Sequence, residues 1–219
     1  MATTVGDVLT WVGYRLDTVI DSATEPSQSE CIRWINETCS EILTVCATTG
    51  TELGRSTATI TLVDGTASYT DLATTLLAPH ETRDCDGKTH CGWIEKTNVR
   101  NPLVLGTESD SLEFDPSLES EPTTFYVDGS NNVTFLPTPD DTYTAKIPYY
   151  ALHTVLNART DTVPFLGVFD GVITESVTLR ALNRDEYDVG FELKWFKYLR
   201  GQARKIIALR QGEAVRVSV

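Results

Sequence analysis

The sequence predicts an α+β protein. A four-helix bundle is formed by N- and C-terminal helix pairs, with a small antiparallel β-sandwich or barrel inserted between them. Two observations carry this. Apolar residues recur every three or four positions at both ends of the 219-residue chain, whereas short alternating runs and turn signals fill the middle. The stripes at the two ends can bury only against each other. The expected division is 1–50 for the first helix pair, 51–162 for the β insertion, 163–210 for the second pair and 211–219 for an extended tail.

The first helix starts at Thr4, which can cap it, with Asp7 at the third position. Val5, Val8, Leu9, Val12, Leu16 and Val19 trace its apolar face. Residues 21–26 form a linker. Ser27-Gln28-Ser29-Glu30 is then a full capping box, followed by Ile32, Ile35, Cys39, Ile42 and Cys46 at heptad-like spacing. Cys31 falls off this seam, on an exposed side. Trp34 and Trp195 are expected to be buried at least in part.

In the middle, Ser56–Val63 alternates and runs into the turn signal Asp64-Gly65. Phe125-Tyr126-Val127 and Val133-Thr134-Phe135-Leu136 flank Asp128–Asn132 as a hairpin. Tyr143–Tyr150 is a strand whose Pro148 belongs at an edge or bulge. Four to seven strands are expected. Helical period returns at Val163-Pro164, with proline in the first turn and Phe165, Val168, Phe169, Val172, Ser176, Leu179 and Leu182 on one face. A last helix runs from about Phe191 to Leu209, with Leu193, Phe196, Leu199, Ala203 and Ile206 or Ile207 inward.

With 18 basic and 31 acidic side chains the net charge is -13, which argues against a protein that mainly coats nucleic acid. The charge is asymmetric. Residues 1–190 carry 11 basic and 29 acidic groups, residues 191–219 carry 7 and 2. Many threonines and few lysines fit a salt-rich setting. No apolar run spans a bilayer, and no signal peptide opens the chain, so synthesis in a cytoplasm with reduced cysteines is expected.

Motifs for chemistry are sparse. GxxxxGK[ST], GxSxG, HExxH and GxGxxG are all missing. His80, Cys85, His90 and Cys91 are the one clustered set of metal-type side chains, but their spacing matches no standard zinc site. A plain loop is the leading reading, ahead of a Cys85–Cys91 disulfide and of a metal site. The pairs Asp84/Asp86 and Asp140/Asp141 read as solvated turn residues. His153 stands alone after a strand, as a surface residue. No catalytic residue and no cofactor is expected.

Three stretches carry a resemblance. They are Ile32-Arg33-Trp34-Ile35-Asn36-Glu37 behind the first capped helix pair; Pro122–Val127 with Val133–Asp140, Tyr143 and Tyr149-Tyr150; and Val163-Pro164-Phe165-x3-Phe169-Asp170. In this order they resemble the head–tail connector (adaptor) proteins of tailed phages, in which a W-I/L-N-E-A stretch is common; Thr38 stands in place of the alanine. The resemblance implies a virion protein of the neck, forming a ring of about twelve copies between portal and tail. The partners it implies are the portal protein, a stopper or tail-completion protein and other copies of the chain. Genomic DNA would pass through the lumen without specific binding, and no membrane is involved.

The basic C-terminal end is the expected portal-binding surface. The basic residues expected to bind are Lys197, Arg200, Arg204, Lys205 and Arg210, the first three along one side of the last helix beside its apolar stripe. Val215, Val217 and Val219 alternate with polar residues in the tail, which can add as a strand to a partner's sheet edge. The competing reading is a tail-associated module whose β domain recognises a protein or glycan through Trp93, Tyr126, Tyr143, Tyr149 and Tyr150.

Overall fold

Both capping boxes predicted at the N-terminus form. In the computed structural model, which describes residues 2–70, 72, 75–83, 89–96, 99–115, 118–184 and 189–211, Thr4 caps α1 (Val5–Leu16) and Ser27 caps α2 (Gln28–Thr49). In each, the third residue returns a carboxylate to the cap's backbone N–H, Asp7 at 2.8 Å and Glu30 at 2.9 Å. The seam of α2 is buried as its spacing requires: Ile32, Ile35, Cys39, Ile42 and Cys46 are all in the core. Cys31 is fully buried as well, against the exposed position expected for it. α1 stops at Leu16, so Val19 lies beyond it and is exposed.

The chain divides into two compact units. The helical unit comprises Met1–Gly54 and His153–Val219, and the β unit comprises Arg55–Leu152. Within the helical unit, α3 (Asp170–Leu182) and α4 (Val189–Gln211) join α1 and α2. α2 and α3 form a central pair, and each packs against the other helices.

α3 departs from expectation at both its start and its face. Pro164 does not open it. Phe165, Leu166 and Gly167 all take positive φ in a short 3-10 turn, and the α-helix begins only at Asp170. Its inward residues are Phe169 at the cap, then Ile173, Thr174, Ser176, Val177 and Thr178, while Leu182 is exposed. The α2–α3 contact is therefore partly polar. Thr38 and Ser176 share a buried hydrogen bond of 2.8 Å, and Thr38 also donates to the Trp34 carbonyl.

The β unit holds β1 (Arg55–Leu62), β2 (Ser68–Tyr69), β3 (Leu76–Pro79), β4 (Thr82–Arg83), β5 (Thr89–His90), β6 (Gly92–Lys96), β7 (Val99–Leu105), β8 (Thr124–Val127), β9 (Val133–Leu136) and β10 (Tyr143–Ala151). Eight of them make one sheet in the order β1-β10-β6-β7-β8-β9-β2, with β3 also on β10; β4 and β5 pair separately. The two ends of this order, β1 and β2, are joined by only residues 63–67, so the sheet curls into a nearly closed barrel. Its core is Ile60, Leu62, Leu72, Leu76, Cys91, Ile94, Leu103, Phe125, Val133, Phe135, Ala145 and Ile147.

This overturns the expected fold class. The protein is not a four-helix bundle carrying a small antiparallel sandwich, because the sheet is large, has its own core and is mixed. β7 and β8 pair in parallel at Val104↔Thr124 and Leu105↔Phe125. Residues 106–123 make the long return that parallel pairing demands. The Asp64-Gly65 turn forms, but its flanking strands do not pair: β1 pairs with β10 and β2 with β9. The β8–β9 hairpin is as expected, with Asn131 in the left-handed region and Asp128 Oδ1 accepting from the Ser130 and Asn132 amides. Pro148 sits inside the sheet rather than at an edge strand. It falls where the second neighbour of β10 changes from β6, paired up to Lys146, to β3, paired from Tyr149, so no ladder bond is lost there.

Candidate functional site

α4 is built as an amphipathic helix. Trp195, Leu199, Ala203 and Ile207 recur every fourth residue and are buried, as expected for Leu199, Ala203 and Ile207 and for Trp195 at least in part. Lys194, Lys197, Arg200, Arg204 and Lys205 are exposed. At 100° per residue, Lys194, Lys197, Arg204 and Lys205 fall on the side opposite the stripe. Tyr198 stacks on Trp195 with ring centroids 5.2 Å apart and is 44% exposed, an aromatic surface beside the cations. Arg210 belongs to the helix, but its side chain, like those of Leu193 and Phe196, lies outside the described part; Val215, Val217 and Val219 lie outside the described residues altogether.

Among the cations of α4 with described side chains, Arg200 is the one nearest the stripe, and it is partly engaged within the protomer. With Thr38, Glu41, Val172, Leu199 and Ala203 it lines a small pocket between α4, α2 and α3. Burial raises the Glu41 carboxyl above its usual range, and Arg180 and then Arg200 oppose that shift. Arg180 also ion-pairs with Glu37 and, at 3.4 Å, with Glu41. The cations of α4 free to meet a partner are therefore led by Lys197 and Arg204 rather than Arg200.

A second constellation surrounds Asn36. Its Nδ2 donates to the Leu156 and Ile32 carbonyls at 2.9 and 3.0 Å. Its Oδ1 must then accept, and it takes the Leu156 amide and the His153 Nε2–H, both at 2.8 Å. One side chain of α2 thus fastens the strap 153–157 by both backbone groups of Leu156. The strap and α2 line an open groove of about 760 Å³ with Asp21, Gln28, Arg33 and Glu37 along it. His153 is half-buried there, against the surface position expected, and desolvation lowers its pKa. Sequence reasoning picked out Asn36 only as part of the Trp34-Ile35-Asn36-Glu37 stretch.

The metal-type cluster is only partly described. His80 is buried, and its Nδ1 meets the Tyr150 hydroxyl at 2.8 Å. His90 pairs with Thr82 in the β4–β5 ladder, and Cys91 is a buried free thiol whose amide donates to Leu103. Cys85 lies outside the described residues, as do Asp84 and Asp86. Among the described residues no group of three or more His, Cys, Asp or Glu side chains is placed to hold a metal ion. Burial pushes the Cys31, Cys46 and Cys91 thiols up to about 11 and Cys39 to about 12, so none is poised as a nucleophile. Asp140 accepts from the Tyr143 hydroxyl at 2.6 Å, and Asp141 from the Thr142 amide at 2.6 Å, both as turn residues.

The aromatic residues of the β unit form no exposed cluster. Tyr150 is buried, Tyr143 and Tyr149 pack partly against the core, and Tyr126 and Trp93 are half-buried, with the Arg100 guanidinium 5.0 Å over the Trp93 ring. No described helix is long and apolar enough to cross a membrane.

A family model described as SU10 adaptor protein matches residues 3–217, nearly the whole chain and both units. The chain belongs to the SU10 adaptor protein family. An SU10 adaptor is a phage structural protein, so the chain is a virion component that meets other phage structural proteins. Membership agrees with the resemblance carried by Trp34–Glu37, the β8–β9 hairpin and Val163–Asp170. No curated protein matches the chain.

Proposed function

We propose that this SU10 adaptor works at the neck of the virion, as a ring of about twelve copies between portal and tail around the DNA channel, without enzymatic turnover. The observation that supports portal docking best is α4, whose apolar stripe is spent on its own unit while its opposite side presents Lys197, Arg204 and Lys205, with Arg200 and Arg210 on the same helix. A basic row on an otherwise acidic chain suits an acidic groove on the portal. It suits the channel DNA less, because a row of phosphate contacts would resist sliding and be strongly salt-dependent. The β unit is left to face the stopper or tail-completion protein. A glycan-binding role for it lacks the exposed aromatic cluster that would favour it.

The test is the double variant Lys197→Glu with Arg204→Glu. Both positions are exposed, so the fold and melting should stay as in the parent. Its binding to purified portal rings should weaken about tenfold or more, mainly through slower association and with a flatter salt dependence. Undiminished capping of the portal would remove α4 as the docking surface.

A further inference from the structure

β1 leaves one edge of the sheet open. In an antiparallel pair, residues alternately turn both backbone groups toward the partner strand and both away. The His80 amide donates to the Pro148 carbonyl at 2.9 Å, so Pro148 turns away from β1. Its partner Thr57 must then turn away from β10, and by alternation so must Thr59 and Thr61. Among the described residues none of these outward amides and carbonyls has a backbone partner. Natural sheets blunt such an edge with lysine, proline or a bulge. Ser56–Leu62 carries no lysine or proline, and its register with β10 is unbroken. The edge lies at the barrel's seam, where no ladder joins β1 to β2.

The edge also states what would fit it. Thr57, Thr59 and Thr61 are exposed, while Ala58, Ile60 and Leu62 face the core. An added strand must therefore alternate, with three apolar residues on the inner face and polar ones outside. Ala214-Val215-Arg216-Val217-Ser218-Val219 has that pattern. We propose that the open edge of β1 receives the C-terminal segment of a second copy as an added strand. Val215, Val217 and Val219 lie beside Ala58, Ile60 and Leu62, and Arg216 and Ser218 lie beside the threonines. Each copy thereby offers a strand and an acceptor, a heterologous contact that closes into a ring when the rotation allows. This assigns the tail to a neighbouring adaptor and leaves the portal to α4. It rests on the adaptor reading only in taking the second copy as a ring neighbour.

The experiment titrates a labelled peptide of residues 211–219 into the full-length chain, kept dilute, with fluorescence anisotropy as the readout. Saturable binding is expected. Thr59→Pro removes an outward N–H and no backbone bond to β10, only the exposed hydrogen bond from Lys146 Nζ to Thr59 Oγ1, so it should weaken binding at least tenfold with the melting curve little changed. In a series of peptides N-methylated at successive residues, only one alternate set should lose affinity to a similar degree on the unaltered chain, a result that stands even if Thr59→Pro fails to fold. Binding that is absent, or indifferent to both changes, overturns the proposal. So does a full-length chain that refuses the peptide while its Val217→Asp variant accepts it, since the tail would then lie on its own β1. Neither readout involves the portal, so failure of the α4 charge reversals to affect capping leaves this result independent.

Discussion

Asn36 makes four hydrogen bonds from one side chain, and three of them go to the strap 153–157. The strap has no ladder of its own in which Leu156 could satisfy both backbone groups, so α2 supplies a side chain that copies a strand's donor and acceptor pair. Asn36→Ala should cost about 1–3 kcal/mol in urea unfolding, because the Leu156 amide and carbonyl lose their partners. His153 adds a pH dependence. Its folded pKa lies below the usual imidazole value because burial disfavours the charged ring. The unfolded chain thus binds the proton first as pH falls, so the contribution is fully present above about pH 6.5 and is lost as pH falls toward the depressed folded value. Stability should therefore drop as pH falls below about 6.5, and His153→Gln should flatten that part of the profile. An unchanged profile in the variant would show that other groups carry the acid sensitivity.

Among the elements, α2 was legible almost residue by residue. Its capping box, its buried seam and the αL Gly50 that closes it are all local signals, set by neighbours three or four positions away. Cys31 was misread for the same reason: its burial is set by what packs on the helix, which the seam's spacing does not report. α3 was legible only as a helix. Its buried face is rich in Thr and Ser, so an apolar period could not find it, and the hydrogen bond between Ser176 and Thr38 replaces hydrophobic contact there. The left-handed run at Phe165 and Leu166 displaced its start, since no glycine precedes Gly167 to signal it. The stripe of α4 was legible from Leu199 through Ala203 to Ile207, and Trp195 extends it by one turn. The seam of α2 sets a test of its own. Ile35 is fully buried between well-packed helices, so Ile35→Asp leaves an unpaired charge and should cost at least about 3 kcal/mol. A soluble variant with parental helicity and an unchanged melting point would contradict that placement.

At the scale of the whole molecule, the fold class was missed because sheet topology is non-local. The hairpin β8–β9 is written in five turn residues, but the pairing of β1 with β10 joins the two ends of the β unit, and the parallel β7–β8 pair depends on a long return. Neither leaves a local signature. The same non-local pair supplies the last prediction. Arg55 lies opposite Tyr150 in the β1–β10 ladder, so the chain enters and leaves the β unit at neighbouring points. The residues of the barrel core, from Ile60 to Ile147, all fall inside Arg55–Leu152. A segment with its own core and adjacent ends has what it needs to fold alone. Expressed by itself, Arg55–Leu152 should give a single cooperative urea transition that coincides by fluorescence and circular dichroism. In the full-length Ile35→Asp chain the same transition should persist after helicity is lost, because the damaged packing belongs to the other unit. A broad, probe-dependent melt of the excised segment, with strong binding of a hydrophobic dye, would mean that the barrel depends on the helices. Loss of the β transition in Ile35→Asp would say the same for the intact chain.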